Sequence, residues 1–353
     1  MHTSISQIKS KISLLNSVLD NDMANFWLQR VNAIWSVDQA LGRVVAIDQS
    51  VASMTSLKLK VNRHFKFGQA GQHHPVIIVI AGTRYERSYS LTQVDAQHVL
   101  LSVKKMTGGL VSTYLNEKIN IGDVLEFGQP YGDMCLTGQM KSLLLFAAGS
   151  GITPMYSLIT QWLIDGASYP VQLFYWVKKH EDAAFKNYLE QLQQQHANFK
   201  FNIYYTQEQP ADRRLNQEQI QHIDHLEQCH VYACGPSAFV NTAEQLLKSA
   251  QVFKSEAFSL NSDMNASTET VQVILTKSNT TVTIPKGQSI LVGLEQQNLK
   301  PTHGCRMGIC NKCVCQKVQG ASRNLVNGST NHEPRNSLKI CVNSAETDLI
   351  IDL

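Results

Sequence analysis

Apolar residues recur at helical spacing at the start of the chain. Ile5, Ile8, Ile12, Leu15 and Leu19 line up in this way, and Phe26, Trp27 and Trp35 follow in a second short helical stretch. The pattern predicts a helical extension over residues 1–40, whose apolar face packs on the chain's own domains or docks on a membrane surface or partner enzyme. From Gly42 the period shortens. Residues 44–47, 56–61, 76–80 and 99–103 are β-rich runs broken by Gly, Asn and Asp, which predicts a small antiparallel barrel over 41–140. Over 141–260 strands and helices alternate. The apolar run 143–148 enters a Gly-Ser-Gly turn and a helix over 154–163, and then come a strand at 171–177, a helix near 183–195, and strands at 201–205 and 230–233. Such alternation predicts a doubly wound α/β domain with a parallel sheet. Residues 261–270 are polar and read as a linker. In 271–353 a hairpin of 271–276 and 280–284 turns across Ser278-Asn279, followed by a helix over 289–298 and a cysteine-rich stretch. This third module is small enough to benefit from a metal or a neighbour for stability.

Length agrees with that division, since 353 residues correspond to about two or three domains. Hydrophobic residues make up 43% and charged residues 17%, a globular composition. A net charge of +3 is too mild to make nucleic acid or an anionic membrane the default partner. The first twenty residues carry Lys9 and Lys11 but no continuous apolar run, and the run 143–148 is far short of the roughly 20 residues that span a bilayer. The expectation is a cytoplasmic protein without a transmembrane segment. Thiols there are kept reduced, so clustered cysteines point to metal or redox work rather than to disulfides.

Five of the eight cysteines lie between Cys305 and Cys341. Cys305, Cys310 and Cys313 are separated by four and then two residues, with twenty-seven more before Cys341. Thiolates at this spacing match plant-type ligation of a 2Fe-2S cluster, and Gly304 and Gly308 suit a loop that wraps the inorganic core closely. A structural zinc site is the alternative, although zinc normally takes a second close pair and Cys341 stands alone. Cys315 points off the cluster and reads as a buried small hydrophobe. Arg306 either adds positive charge near the cluster or is solvated. The segment Cys305-Arg306-Met307-Gly308-Ile309-Cys310-Asn311-Lys312-Cys313 resembles the cluster loop of plant-type ferredoxins, and Leu338-Lys339-Ile340-Cys341 resembles their fourth-ligand strand. The resemblance covers 271–353 and implies an α+β β-grasp fold with one-electron transfer at low potential.

Arg87-Ser88-Tyr89-Ser90-Leu91, and Gly109-Leu110-Val111-Ser112 with Leu115, resemble the two flavin-binding motifs of the ferredoxin-NADP reductase family. By that resemblance Arg87 pairs with flavin phosphate, Tyr89 lies along the isoalloxazine ring, and Ser90 hydrogen-bonds near its reactive nitrogen. Gly109 and Ser112 hold the pyrophosphate at a helix start, where N–H groups and dipole favour an anion, and this pyrophosphate-like motif points to FAD over FMN. The residue types agree, because Arg suits a bidentate phosphate contact and a Tyr face suits a flat ring. A strand with an exposed Arg and a packed Tyr reads the same over so short a match. Gly149-Ser150-Gly151-Ile152-Thr153-Pro154 follows an apolar strand and opens a helix, as a diphosphate-binding turn does. It resembles the family's nicotinamide-nucleotide motif, which makes Gly149, Gly151, Thr153 and Pro154 candidate contacts. Cys234-Gly235-Pro236 resembles the second nucleotide motif and implies that Cys234 lies near the nicotinamide; a buried structural thiol is the alternative. Glu256-Ala257-Phe258 resembles the domain end where the family often keeps an acid and an aromatic close to the flavin.

Ser90, Cys234 and Glu256 are therefore the candidate catalytic residues. Thr206-Gln207 stands where NADPH-specific relatives often show Ser-Arg, and Lys178, Lys179, Arg213 and Arg214 are cations for a 2′-phosphate or simply a solvated surface. NADPH is expected, with NADH open. Pro130-Tyr131-Gly132-Asp133-Met134 replaces the family's Pro-x-Gly-x-Phe turn and leaves that contact unassigned. Together the motifs imply a path from NAD(P)H through flavin to the cluster, with the flavin splitting the hydride's electron pair. The helical extension resembles that of reductases serving acyl-CoA desaturases, so a membrane di-iron desaturase is the expected acceptor, with peripheral membrane association. A soluble hydroxylase or Rieske-type oxygenase is the alternative acceptor, and a redox-sensing or zinc-bound interaction module is the alternative of another class. Residues 271–353 hold nine Lys/Arg and five Asp/Glu, a net +4 against −1 elsewhere, which either steers toward an acidic acceptor or offsets the cluster's own negative charge.

Overall fold

A computed structural model describes residues 20–208, 214–259 and 269–353. The expected helix on Ile5 to Leu19, the cation Arg213 and most of the 261–270 linker lie outside the described residues. Helix α1 (Asn21–Val31) is capped by Asp20, whose side chain accepts from Asp22 N. It stops before Trp35 because Asn32 is extended at the C-cap. Buried Asn25 ties the helix to the following turn, accepting from Ser36 Oγ and Val37 N at 2.9 and 2.7 Å.

Strands β1 (Leu41–Val51), β2 (Met54–Val61), β3 (His73–Ile80), β4 (Thr83–Gln93), β5 (His98–Lys104) and β6 (Val124–Phe127), with α2 (Leu110–Glu117) between the last two, form a closed barrel in the order β1-β2-β5-β4-β3-β6. Neighbouring strands are antiparallel throughout. Alternate residues fill the interior, among them Leu57, Leu59, Val76, Leu101 and Leu125, each contributing about 1.5–3 kcal/mol by leaving water. β4 is too polar to stand out as a strand from sequence. It is held by its pairing with β3, which runs from Ile80↔Thr83 to His73↔Ser90.

The next segment alternates β7 (Ser142–Ala148), α3 (Ile152–Ile164), β8 (Val171–Val177), α4 (Lys186–Gln195), β9 (Phe199–Tyr205), α5 (Gln217–Ile220), β10 (Cys229–Pro236), α6 (Ser237–Leu246) and β11 (Val252–Ser259). Its sheet is parallel in the order β11-β10-β7-β8-β9. Chain order reverses between β7 and β10, and the crevice at the carboxyl ends there is where doubly wound sheets bind ligands. The expected helix near 183 starts later, at Lys186, because residues 180–182 form a 3-10 turn and Phe185 is left-handed at φ +61°.

The last domain comprises β12 (Thr270–Leu275), β13 (Thr280–Pro285), α7 (Ile290–Gln296), β14 (Val314–Gln319), β15 (Ser322–Asn324), β16 (Thr330–Asn331), β17 (Asn336–Lys339), β18 (Asn343–Ala345) and β19 (Leu349–Asp352). Its mixed sheet runs β13-β12-β19-β14-β17, with β12 and β19 parallel as in a β-grasp, beside a small β16-β15-β18 sheet. Ser289 caps α7 by accepting from Val292 N at 3.3 Å. Ile290, Leu291 and Leu294 then pack with Ile284, Ile340 and Ile351 in the core. The fold is thus multi-domain: antiparallel β-barrel, doubly wound α/β, and α+β β-grasp.

Candidate functional site

A cavity of about 150 Å³ opens where the three domains meet. The barrel supplies His73, Ser88, Tyr89, Ser90, Ser102 and Lys104, the start of α2 supplies Ser112, the α/β domain supplies Ser150, Thr153 and Phe258, and the cysteine loop supplies Cys305, Met307 and Ile309. Ser90 Oγ is buried without a partner. A buried hydroxyl left unpaired is costly, so this orphan fits a polar ligand such as an isoalloxazine edge. Burial pushes the Tyr89 phenol up to about 12, keeping it neutral, with the Arg87 charge pulling weakly the other way. Arg87 itself does not line this cavity; its Nη1 donates to Glu86 O at 2.7 Å, and burial lowers its pKa, with Arg306 adding to the effect. Gly109 is the N-cap of α2. Ser112 Oγ accepts from Met106 N and donates to Gly109 O, both at 3.1 Å, so it closes the loop that precedes the helix.

Glu256 and His73 form a buried contact beside the cavity, with Nε2 and Oε2 3.2 Å apart but without hydrogen-bond alignment. Burial raises the Glu256 carboxyl to about 8 and lowers the His73 imidazole to about 4, so near neutral pH the contact is between a protonated acid and a neutral ring rather than a salt bridge. Glu256 faces a cleft of about 630 Å³, where Asp133, Lys254 and Cys310 also lie.

At the carboxyl ends of β7, β8 and β10 a second cleft of about 630 Å³ is lined by Gly149, Trp176, Pro236 and Phe239 with Lys104, Lys178 and Arg214. Of the other expected cations, Lys179 pairs with Glu181 at 3.8 Å. Thr206 Oγ1 donates to Val177 O at 3.3 Å at the edge of this cleft. Gly151 serves close approach, since a Cβ there would lie 1.9 Å from Cys234 O; the turn must seat directly on β10. Pro154 is buried in the first turn of α3. Gly235 packs on Ala148, where a Cβ would lie 2.8 Å from the alanine Cβ. Cys234 is fully buried in the α/β core, its pKa raised by burial, and it stands in register with Glu256 rather than in the cavity wall.

In the cysteine loop, N–H groups point at sulfur. Met307, Ile309 and Cys310 donate to Cys305 Sγ at 3.3–3.4 Å, and Cys305 N donates to Cys310 Sγ at 3.3 Å. Gly308 is left-handed at φ +76°, and a Cβ there would lie 2.9 Å from Val342. The four sulfurs fall into two pairs. Cys305 and Cys310 share hydrogen bonds, and Cys313 Sγ lies 3.1 Å from Cys341 Sγ. In each pair one thiol, Cys310 or Cys313, is held low by its partner's hydrogen bond. Among the described residues no three metal-ligating side chains converge on one point. Two pairs of thiols suit a binuclear core with two ligands per iron better than one tetrahedral zinc. Cys315 is buried off the cluster, its thiol pushed up to about 12 by burial. Arg306, whose side chain is partly exposed, forms a bidentate pair with Glu295.

Three domain families match the chain: the oxidoreductase FAD-binding domain over residues 43–135, the oxidoreductase NAD-binding domain over 145–245, and the 2Fe-2S iron-sulfur cluster binding domain over 273–342. The chain is an oxidoreductase with FAD, NAD and 2Fe-2S domains. It is similar to an NADPH oxidoreductase of Mycobacterium tuberculosis, 28% identical over 338 residues that cover 93% of this chain and 88% of that protein. It is also similar to the carnitine monooxygenase reductase subunit of Acinetobacter pittii, 26% identical over 84% of this chain and 96% of that one. The fold matches phthalate dioxygenase reductase with a TM-score of 0.67 at 22% identity, over 89% of this chain and 98% of that one. No helix among the described residues of the oxidoreductase is long and apolar enough to cross a membrane. Sequence motifs missed His73, Lys104, Met307 and Ile309. Lys104, the last residue of β5, lines both the cavity and the cleft at the carboxyl ends of β7, β8 and β10, and its place at the end of an apolar strand just before the Gly109 segment is the signal that could have found it.

Proposed function

We propose that the protein takes electrons from NADPH and delivers them to a membrane-bound fatty-acyl desaturase. The observation that carries the relay is the shared cavity, in which Cys305 of the cluster loop lines the same space as Tyr89 and Ser90. FAD supplies two-electron acceptance with one-electron release, and the 2Fe-2S cluster supplies one-electron transfer. In this reading Tyr89 and Phe258 flank the isoalloxazine ring, the unpaired Ser90 hydroxyl bonds to its edge, Arg87 neutralises flavin phosphate, and Gly109 with Ser112 shapes the pyrophosphate turn. Gly149, Gly151, Thr153 and Pro154 form the nucleotide turn, and Gly235 and Pro236 follow it at the cleft, with Cys234 buried behind them as packing under the nicotinamide site. Glu256 holds a proton beside the cavity, and Met307 and Ile309 exclude water from it. Cys305, Cys310, Cys313 and Cys341 hold the cluster.

NADPH over NADH is supported by Lys178 and Arg214 in the nucleotide cleft and by the similarity to an NADPH oxidoreductase. The desaturase as partner is supported by α1 and its following turn, where Met23, Phe26, Trp27, Val31 and Trp35 are exposed. Aromatic residues of this kind suit a membrane interface. A second reading, delivery to a soluble oxygenase, is favoured by the similarity to a monooxygenase reductase subunit and a dioxygenase reductase. Reconstitution with each acceptor separates the two. The proposal expects NADPH-dependent turnover with a desaturase in vesicles and sedimentation of the reductase with those vesicles. Turnover with a soluble oxygenase alone, without vesicle binding, overturns the desaturase assignment.

A further inference from the structure

Lys312 lies inside the cluster loop, between ligands Cys310 and Cys313, yet its partner is 226 residues away on barrel strand β4. Its Nζ is 2.6 Å from both carboxylate oxygens of Glu86. Glu86 adjoins Arg87, on the strand that carries Tyr89 and Ser90. At this seam the backbone itself comes close, since a Cβ on Gly304 would lie 2.9 Å from Glu86 Oε1. Arg306, the other cation of the loop, is taken up by Glu295 of its own domain. Among the described residues no other ion pair joins the barrel to the β-grasp domain.

We propose that the Glu86–Lys312 pair is a clamp that seats the cluster loop on the flavin barrel and so positions Cys305, Met307 and Ile309 against the cavity. Lys312 is 43% exposed, so the pair is open to screening by salt and adds little to global stability. Its effect is on orientation, because two domains joined by a linker hold one relative placement only through contacts of this kind. Both residues are positioning residues: neither lines the cavity.

The test uses the loaded reductase with Lys312→Glu, Glu86→Lys and the double swap E86K/K312E. Solution scattering reads compaction without reference to electron flow. Single-turnover absorbance with NADPH reads the flavin and iron-sulfur bands separately. Each single reversal is expected to enlarge the radius of gyration and to slow cluster bleaching about tenfold or more while leaving flavin bleaching unchanged, as small displacements of reacting groups do. The double swap is expected to restore compaction and bring cluster bleaching within about twofold of the parent, the signature of a direct pair. High salt should expand the parent protein in the same way. If K312E loses its cluster, Glu86→Gln leaves the loop sequence intact and must still expand the protein and slow the cluster band. Single reversals with parental scattering and cluster rate, or a double swap no better than the singles, overturn the clamp. The functional half rests on the relay reading; a parent whose cluster band fails to bleach contradicts that reading, and the scattering arm then decides the clamp alone.

Discussion

The cysteine loop and the cavity where the three domains meet differ in how they are built. The loop is local: Cys305, Cys310 and Cys313 fall within nine residues, and its own N–H groups satisfy Cys305 sulfur. The cavity is assembled from residues between His73 and Ile309, drawn from three domains, and its key hydroxyl, Ser90, has no protein partner. A site held by its own backbone carries its chemistry in a short motif. A site made by domain docking depends on every interface around it.

The sharpest way to break this contrast is at the loop. Cys313→Ser removes one of the four proposed ligands and should abolish the iron-sulfur absorbance while FAD content, measured by fluorescence after release, stays at the parental level. Loss of both cofactors together would show that the loop is not an independent unit. Next in size is Gly151→Ala. The added methyl would sit 1.9 Å from Cys234 O, and forcing backbones apart in a packed core costs about 3 kcal/mol, readable as a lower denaturant midpoint of the loaded protein.

A smaller effect tests the buried pair at the cavity edge. Glu256 has its folded pKa raised from 4.5 to about 8, so the fold binds this proton more tightly than the unfolded chain does. His73 is shifted the other way, from 6.5 down to about 4. Between about pH 4.5 and 6.5 the unfolded chain protonates the histidine while the fold protonates the acid, and the two terms cancel. From pH 6.5 to 8 only Glu256 remains, so stability should fall as pH rises, by of order 1 kcal/mol. Urea titrations of Glu256→Gln should lose that downward slope and leave only the small rise due to His73; a parental slope in this variant would remove Glu256 as the cause. The smallest expected effect is at Ser90→Ala, where loss of one neutral hydrogen bond worth about 1 kcal/mol should slow flavin bleaching a few-fold without loss of FAD. An unchanged rate would take Ser90 out of the flavin's contacts.

The same contrast explains what was legible in the sequence. The four cysteines were placed by spacing, and the barrel and parallel sheet were announced by period and by glycine punctuation. The polar strand β4 is not, because only Leu91, Tyr85 and Tyr89 turn to the barrel core while its polar side chains serve a cavity and a domain seam. Cys234 shows the limit of a motif: its neighbourhood is right, but the thiol is packed into the α/β core and stands level with Glu256. Met307 and Ile309 illustrate the reverse case. They sit between cysteines as ordinary loop residues in sequence, and only docking of the β-grasp domain makes them part of the cavity wall. Apolar spacing puts Trp35 in a helix, but the helix ends at Val31 because the extended Asn32 at its C-cap outweighs that spacing.

The central claim is that one continuous electron path runs through the three domains, and an anaerobic titration with NADPH tests it most directly, with NADH as comparison. The account predicts that flavin and iron-sulfur bands bleach together, with NADPH giving the tighter and faster reduction. A flavin band that bleaches while the cluster band stays unchanged would contradict it.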